Sequence, residues 1–427
     1  MEPERTSSRR REGSAPAEHR ALLGNLRMSA RNVLERNHRH GQTPDGVGFA
    51  YTRPDNDKYP DQFYWDSCLI ALAWSRLDPS RARDELRTLA AAMQPSGHIG
   101  HTVFWSGPVR LARLPAYNVR RRSDRSTATI QPPLLGWAWA EIADRSPDDP
   151  QFRAEGRAVV RHHLEWLERT RAEADGLIGV LQPDETGLDA TPTYDRALGW
   201  RAHPYPGFAA LVHENRRRGF DYHRARAAGA FTAIDVLVNT AWALSWYGLA
   251  RLGDPEAGAR AADIVAALET RLWDAEHGMF FAEGPDRTRL PVSTWAGLAP
   301  LALPGLSPDI AARLIDDQLL NPSRFWLPWP VPSTSAEEPS FRPGDTGWPI
   351  RRYWRGPTWP FTWWFAHLGL RVHGRDDTAR ELAVRIALLI DREGMREYYN
   401  PISGRGLGAR HFAVSAIALD LLTASTD

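Results

Sequence analysis

The chain has 427 residues, 42% of them apolar and 25% charged, with 53 basic against 52 acidic side chains. That balance gives no electrostatic reason to expect nucleic acid or an anionic membrane as a partner. A single cysteine, Cys68, excludes a disulfide framework and a cysteine metal site. In chain order, residues 1–19 come first: basic, Ser/Pro-bearing and without an apolar centre. They read as a flexible tail and not a signal peptide, which with the absence of any run near the roughly 20 apolar residues of a membrane span predicts a cytoplasmic protein.

Residues 20–427 read as one all-α domain of alternating helices. Ala21–Arg36, the segments opened by Asp78-Pro79, Asp149-Pro150, Asp254-Pro255 and Ser307-Pro308, and Thr378–Ile390 each have one apolar face. A side-chain cap followed by proline, where no N–H is needed, is a helix start signal. Between these lie Ser67–Leu77, Thr129–Ala143, Ala233–Leu252, Ser293–Leu303 (the weakest), Trp359–Val372 and Phe412–Thr423, apolar nearly all round. Helices of the second kind sit inside an assembly. Only Leu177–Leu181 and Gly278–Ala282 offer strand pieces. Six wet and six buried helices in alternation predict an (α/α)6 toroid, or barrel. Its inner-to-outer turns are short. Its outer-to-inner connections Tyr51–Trp65, Ser96–Arg125, Gln182–Ala230, Asn321–Pro357 and Arg392–Arg410 are long, and long loops usually serve function. All of them emerge on one rim.

That rim collects the polar motifs. Gln182–Asp195 carries Asp184, Glu185, Asp189 and Asp195 among Gly, Pro and Thr. Tyr59–Ser67 places Gln62, Trp65 and Asp66 where a buried helix begins; Asp66 suits a helix cap and also a grip on sugar hydroxyls. Trp105, after the His98–His101 segment, suits a pocket wall or the core. His98-Ile99-Gly100-His101 has the spelling of a class I aminoacyl-tRNA synthetase signature. A chain without α/β repeats and with one lysine, Lys58, cannot complete it. The two histidines also lack the spacing of a metal pair. The glycines at 404, 406 and 408 mark a tight turn, with Glu397 just before them. Two carboxyls on separate loops in an aromatic setting suggest glycoside hydrolysis, one giving a proton and one taking it.

Five segments then appear in order: Gln62–Ser67 (Q-F-Y-W-D-S), Ile130–Leu135 (I-Q-P-P-L-L), Thr186–Pro192 (T-G-L-D-A-T-P), Tyr353–Pro360 (Y-W-R-G-P-T-W-P) and Glu397–Ala409. Together they resemble the catalytic domain of glycoside hydrolase family 63, and within it the bacterial mannosylglycerate and glucosylglycerate hydrolases. The resemblance implies an (α/α)6 barrel and an inverting α-glycosidase without metal or cofactor. It implies Asp189 as general acid and Glu397 as general base. Trp65 and Asp66 would hold the sugar, with Tyr59, Gln62 and Gln131 beside them. Tyr353, Trp354, Arg355 and Trp359 would line the same pocket. Carboxyls about 6.5–9.5 Å apart would leave room for the attacking water. Arg216–Arg218, Arg351, Arg352 and Arg355 are the candidates for a glycerate carboxylate, and residues 201–229 for a lid. The expected partner is a small carbohydrate; a homo-oligomer is left open. Action on trehalose or short α-gluco-oligosaccharides, a sugar lyase or epimerase, and a non-catalytic sugar-binding barrel are the alternatives.

Overall fold

The computed structural model describes residues 8–107, 117–203, 205–344 and 353–425, with side chains from residue 19 onward. Its inner segments are Tyr64–Ser75, Leu135–Asp144, Val236–Arg251, a 3-10 stretch Trp295–Ala302, Pro360–Val372 and the pair Ala413–Ala416/Ile417–Ala424. Each packs on the next, and the last returns to the first, so the described inner segments close into a ring. Their sequences have no polar face to turn outward: in Tyr64–Ser75 every residue but the last is buried. Where two inner helices meet, Gly136 and Gly248 bring the backbones together, and a Cβ on Gly248 would lie 2.2 Å from the Gly136 carbonyl oxygen.

Around the ring run Ser8–Asn37, Pro79–Ala91, Pro150–Arg171, Ala257–Leu272, Pro308–Leu319 and Asp376–Glu393, each burying one stripe. Asp78 accepts from the backbone N–H groups of Ser80 and Arg81, and Asp149 from that of Phe152, as caps should. Asp254 does the same for Glu256 and Ala257, whereas Ser307 stands at its helix start without a side-chain bond.

The structure departs from expectation locally. The first helix begins at Ser8, inside the predicted tail, and Leu22, Leu23 and Leu26 are among the residues by which it packs on the core. Thr129–Leu134 is not helical, because Pro132-Pro133 supplies no donors there; the helix starts at Leu135. Ala233–Ile234 is a strand paired with Gly179–Val180. Trp295–Ala302 contains Pro300 and is wound as 3-10. No helix among the described residues is long and apolar enough to cross a membrane. What the ring does for function is to put the long outer-to-inner connections at one end.

Candidate active site

At that end lies a cavity of about 420 Å³, within the size of small-molecule sites. It is lined from five of the outer-to-inner connections and the first turns of the inner helices they enter.

Glu397 sits on the strand Arg396–Tyr399, antiparallel to Gly406–Arg410 with an irregularity between Leu407 and Arg410. Gly408 takes φ +66° there, which an L side chain resists, and a Cβ on it would lie 2.5 Å from Glu397 Oε2. The turn therefore needs glycine both for its φ and for the close approach. Through it the Ala409 N–H donates to Oε2 at 2.7 Å. Lys58 Nζ donates to both carboxylate oxygens at 2.8 Å, and Tyr59 donates its hydroxyl to Oε1 at 2.7 Å. The Glu397 side chain is fully enclosed. Lys58 is held in turn between the rings of Tyr59 and Tyr353, 4.9 and 4.6 Å away. Asp55 accepts from its backbone N–H and closes the turn that carries it.

Asp189 follows the short 3-10 turn Pro183–Thr186 and is exposed, but into the cavity that it lines. Burial among the surrounding walls pushes its carboxyl up and favours the proton-bearing form; the Lys58 charge opposes this and the Glu397 charge adds to it. Behind it, Arg355 donates to the Ala190 carbonyl at 3.2 Å and to Asp195 at 2.7 Å. Arg355 is only 6% exposed and does not line this cavity; it tethers the Asp189 loop and lines a small pocket that Asp189 also lines.

The aromatic walls are mutually stacked. Trp65 lies on Phe361 at 3.7 Å, and Trp354 on Trp359 at 4.0 Å, which fixes their ring planes before any ligand arrives. Asp66 lines the cavity from the first turn of its helix, where its carboxylate also accepts from its own backbone N–H. Burial, with a smaller push from Glu397, raises its carboxyl to about 7. Gln131 also lines the cavity and accepts from the Trp65 backbone N–H at 3.1 Å.

Two expected wall residues are elsewhere. Gln62 is fully buried and accepts from Trp105 Nε1 at 2.7 Å, while Trp105 stacks on Phe49. Both brace the entry to the first inner helix. Arg216 donates to the carbonyls of Tyr117 and Val119, Arg218 to that of Glu214, and Arg217 is exposed; none of the three lines the cavity. Arg351 and Arg352 lie outside the described residues. Glu185 pairs with buried Arg171 at 2.8 Å and accepts from the backbone of Ile130 and Leu181, so it builds the loop.

Several wall residues carry no recognisable sequence signal. Tyr117 and Asn118 come from a loop, and Tyr205 and Phe208 from the start of the helix Pro206–Arg217, all without a motif. Asp184, one of the four acids of Gln182–Asp195, is a buried part of the wall that accepts from Asn118 at 2.7 Å. Burial and the Glu185 charge lift it to about 8, and burial lowers nearby His101 to about 3. The two approach to 3.8 Å, and burial favours the neutral form of each. From Asp184 the hydrogen bonds run through Asn118 and Gln182 to Asn215, on the helix Pro206–Arg217 of the expected lid segment. Lys58 does have a signal, as the one lysine of the chain, but composition bias explains it equally well.

Known proteins resemble this chain in sequence and fold. The family profile described as a mannosylglycerate hydrolase MGH1-like glycoside hydrolase domain matches residues 59–415. The chain is 30% identical to a mannosylglycerate hydrolase of Rubrobacter radiotolerans, over 87% of this chain and 93% of the relative. It is 26% identical to a glucosylglycerate hydrolase of Mycolicibacterium hassiacum, over 84% and 91% of the two. Its fold superposes on the crystal structure of a family 63 mannosylglycerate hydrolase from Thermus thermophilus in complex with Tris and D-glycerate. The TM-score is 0.80 at 28% identity, covering 93% of this chain and all of the other.

Proposed function

The chain belongs to the mannosylglycerate hydrolase MGH1-like glycoside hydrolases, and from that premise we propose that it hydrolyses glucosylglycerate or mannosylglycerate with inversion at the anomeric carbon. The observation that carries the reading is the opposite setting of two carboxyls on one cavity: Asp189 pushed toward its protonated form, Glu397 held by a cation and an N–H. Asp189 gives its proton to the glycosidic oxygen as the bond to the anomeric carbon breaks. Glu397 takes a proton from a water that attacks that carbon from the opposite face. Asp66, Gln131 and Tyr59 present polar atoms to the sugar, and Trp65, Tyr353, Trp354 and Trp359 its walls.

Proton NMR of the reaction with α-glucosylglycerate and α-mannosylglycerate, followed from the first time points, tests this. The β-sugar must appear first. Early α-sugar would mean retention and overturn the mechanism, and turnover of neither would reject the substrate class. One observation favours a second reading. Among the described residues the cavity is lined by Asp66, Asp184, Asp189 and Glu397 and by no arginine or lysine, which suits a neutral leaving group. Trehalose and kojibiose in the same assay separate the two.

A further inference from the structure

We propose that Lys58 is the positioning residue that places the working pH range of this site, through one ammonium group shared between the base and the acid. The inference rests on the reading of Glu397 as base and Asp189 as acid. A base that must strip a proton from water has to be ionised, and a fully enclosed carboxylate is costly to ionise without a partner. Lys58 is that partner, and it reaches both oxygens of Glu397 at 2.8 Å.

The geometry also leaves the base usable. An ionised carboxylate offers about four acceptor sites. Lys58 occupies one on each oxygen, Tyr59 one on Oε1 and the Ala409 N–H one on Oε2. The attacking water can take one of the two lysine bonds while the other keeps the charge in place. An arginine fork bound to both oxygens would be harder to share, and its planar group would not fit as a compact charge between the Tyr59 and Tyr353 rings. The chain that uses arginine for every other cationic side chain of this class has its one lysine here.

Among the described residues, the charged and titratable groups facing this pair include Tyr59, Tyr353, Asp55, Asp66, Asp184, Asp189 and His101. Lys58 opposes the upward push on Asp189, and Asp66 feels Glu397 with no Lys58 charge among its causes. Removing the positive charge disfavours ionisation of Glu397 and Asp189 together. Both limbs of the bell-shaped profile of kcat/KM must therefore move to higher pH, whereas loss of a merely structural contact lowers the curve without moving it.

The experiment is the pH profile of kcat and KM for wild type, Lys58→Met and Lys58→Arg, on whichever glycoside the wild type turns over. Lys58→Met should shift both limbs up by about one pH unit, equivalent to tenfold in a proton equilibrium, with KM nearly unchanged. Lys58→Arg should keep the limbs near their original positions at reduced kcat. Unmoved limbs in Lys58→Met, or a shift of the same size in Lys58→Arg, would overturn the proposal. Acetylation of the folded wild-type enzyme reaches a single ε-amino group, whose side chain is 31% exposed. It removes the charge without asking a variant to fold and must give the same shift. Glu397→Gln runs alongside: if it keeps activity, the reading of the base has failed and the role of Lys58 falls with it, whereas an inactive Glu397→Gln beside unmoved limbs in Lys58→Met overturns the role of Lys58 alone.

Discussion

The walls that carry Glu397 and Asp189 solve opposite problems with the same functional group. Around Glu397 every donor is fixed in advance: a lysine, a tyrosine hydroxyl and a backbone N–H released by a glycine turn. Around Asp189 the loop is fixed one residue away, by Arg355 on Ala190, and burial pushes the carboxyl up against the smaller opposing pulls of the Lys58 charge and a Trp354 hydrogen bond. A cation in direct contact favours ionisation, and a low-dielectric wall without one favours the proton. The difference between the walls supports the proposed roles of base and acid without reference to any substrate. Glu185 shows the contrast is not about burial alone: equally enclosed, it is neutralised by Arg171 and serves the loop.

The largest effect should come from removing either group. Asp189→Asn and Glu397→Gln are each expected to lower kcat by roughly 10²–10⁴-fold. Their circular dichroism and melting temperature should stay near wild type. A leaving group that needs no proton separates them. On a glycosyl fluoride, Asp189→Asn should recover much of its activity and Glu397→Gln should not. Equal behaviour of the two variants would break the asymmetry on which the assignment stands.

Smaller changes probe the devices that hold each wall. Gly408→Ala puts a methyl group 2.5 Å from Glu397 Oε2 at a positive φ. It should cost roughly 1 kcal/mol of stability, and roughly 10–100-fold in kcat as the base shifts. Arg355→Leu frees the Ala190 carbonyl and Asp195. A drop of about tenfold in kcat with KM little changed is expected, since Arg355 does not line this cavity. If KM rose instead while kcat held, Arg355 would be a binding residue after all.

Much of the frame for this contrast is legible in the amino-acid order alone. The alternation of one-sided and all-apolar helices predicts the ring, and the turn-rich composition of the long connections places the motifs on one rim. Residue type then indicates which positions are constrained, but not what constrains them. Trp105, Gln62 and Arg355 sit in the same kinds of motif as Trp65 and Asp66, yet they face protein. A motif has a face and a back, and spacing alone does not tell them apart in a loop, where no 3.6 or 2.0 period applies. Tyr117 and Asn118 reach the cavity through the path of a loop, and that path is set by contacts such as Arg216 on the Tyr117 carbonyl. Thr129–Leu134 departs from its expected helix for a simpler reason: its apolar content suits a buried helix, but the missing N–H groups of Pro132-Pro133 decide the backbone.

The smallest expected effect uses a third carboxyl as the control for burial without a cation. Glu85 is buried behind the first inner helix and is held by the Ser67 hydroxyl at 2.6 Å, the Thr52 backbone N–H at 2.7 Å and the Gln62 amide. Burial outweighs these bonds and raises its carboxyl from 4.5 to about 8. The folded state therefore binds the Glu85 proton more tightly than the unfolded chain does. Its contribution to stability is full below about pH 4.5 and drains away as pH climbs toward about 8. In Glu85→Gln the amide keeps the shape, the Ser67 hydroxyl can turn to accept, and nothing at this position titrates. The fall in melting temperature between pH 5 and pH 8 should accordingly be shallower in Glu85→Gln than in wild type, read by calorimetry at matched ionic strength. Parallel curves would mean that Glu85 is ionised in the folded protein at neutral pH. Burial alone would then not keep a carboxyl protonated in this fold, and the acid role of Asp189 would need a source other than its walls.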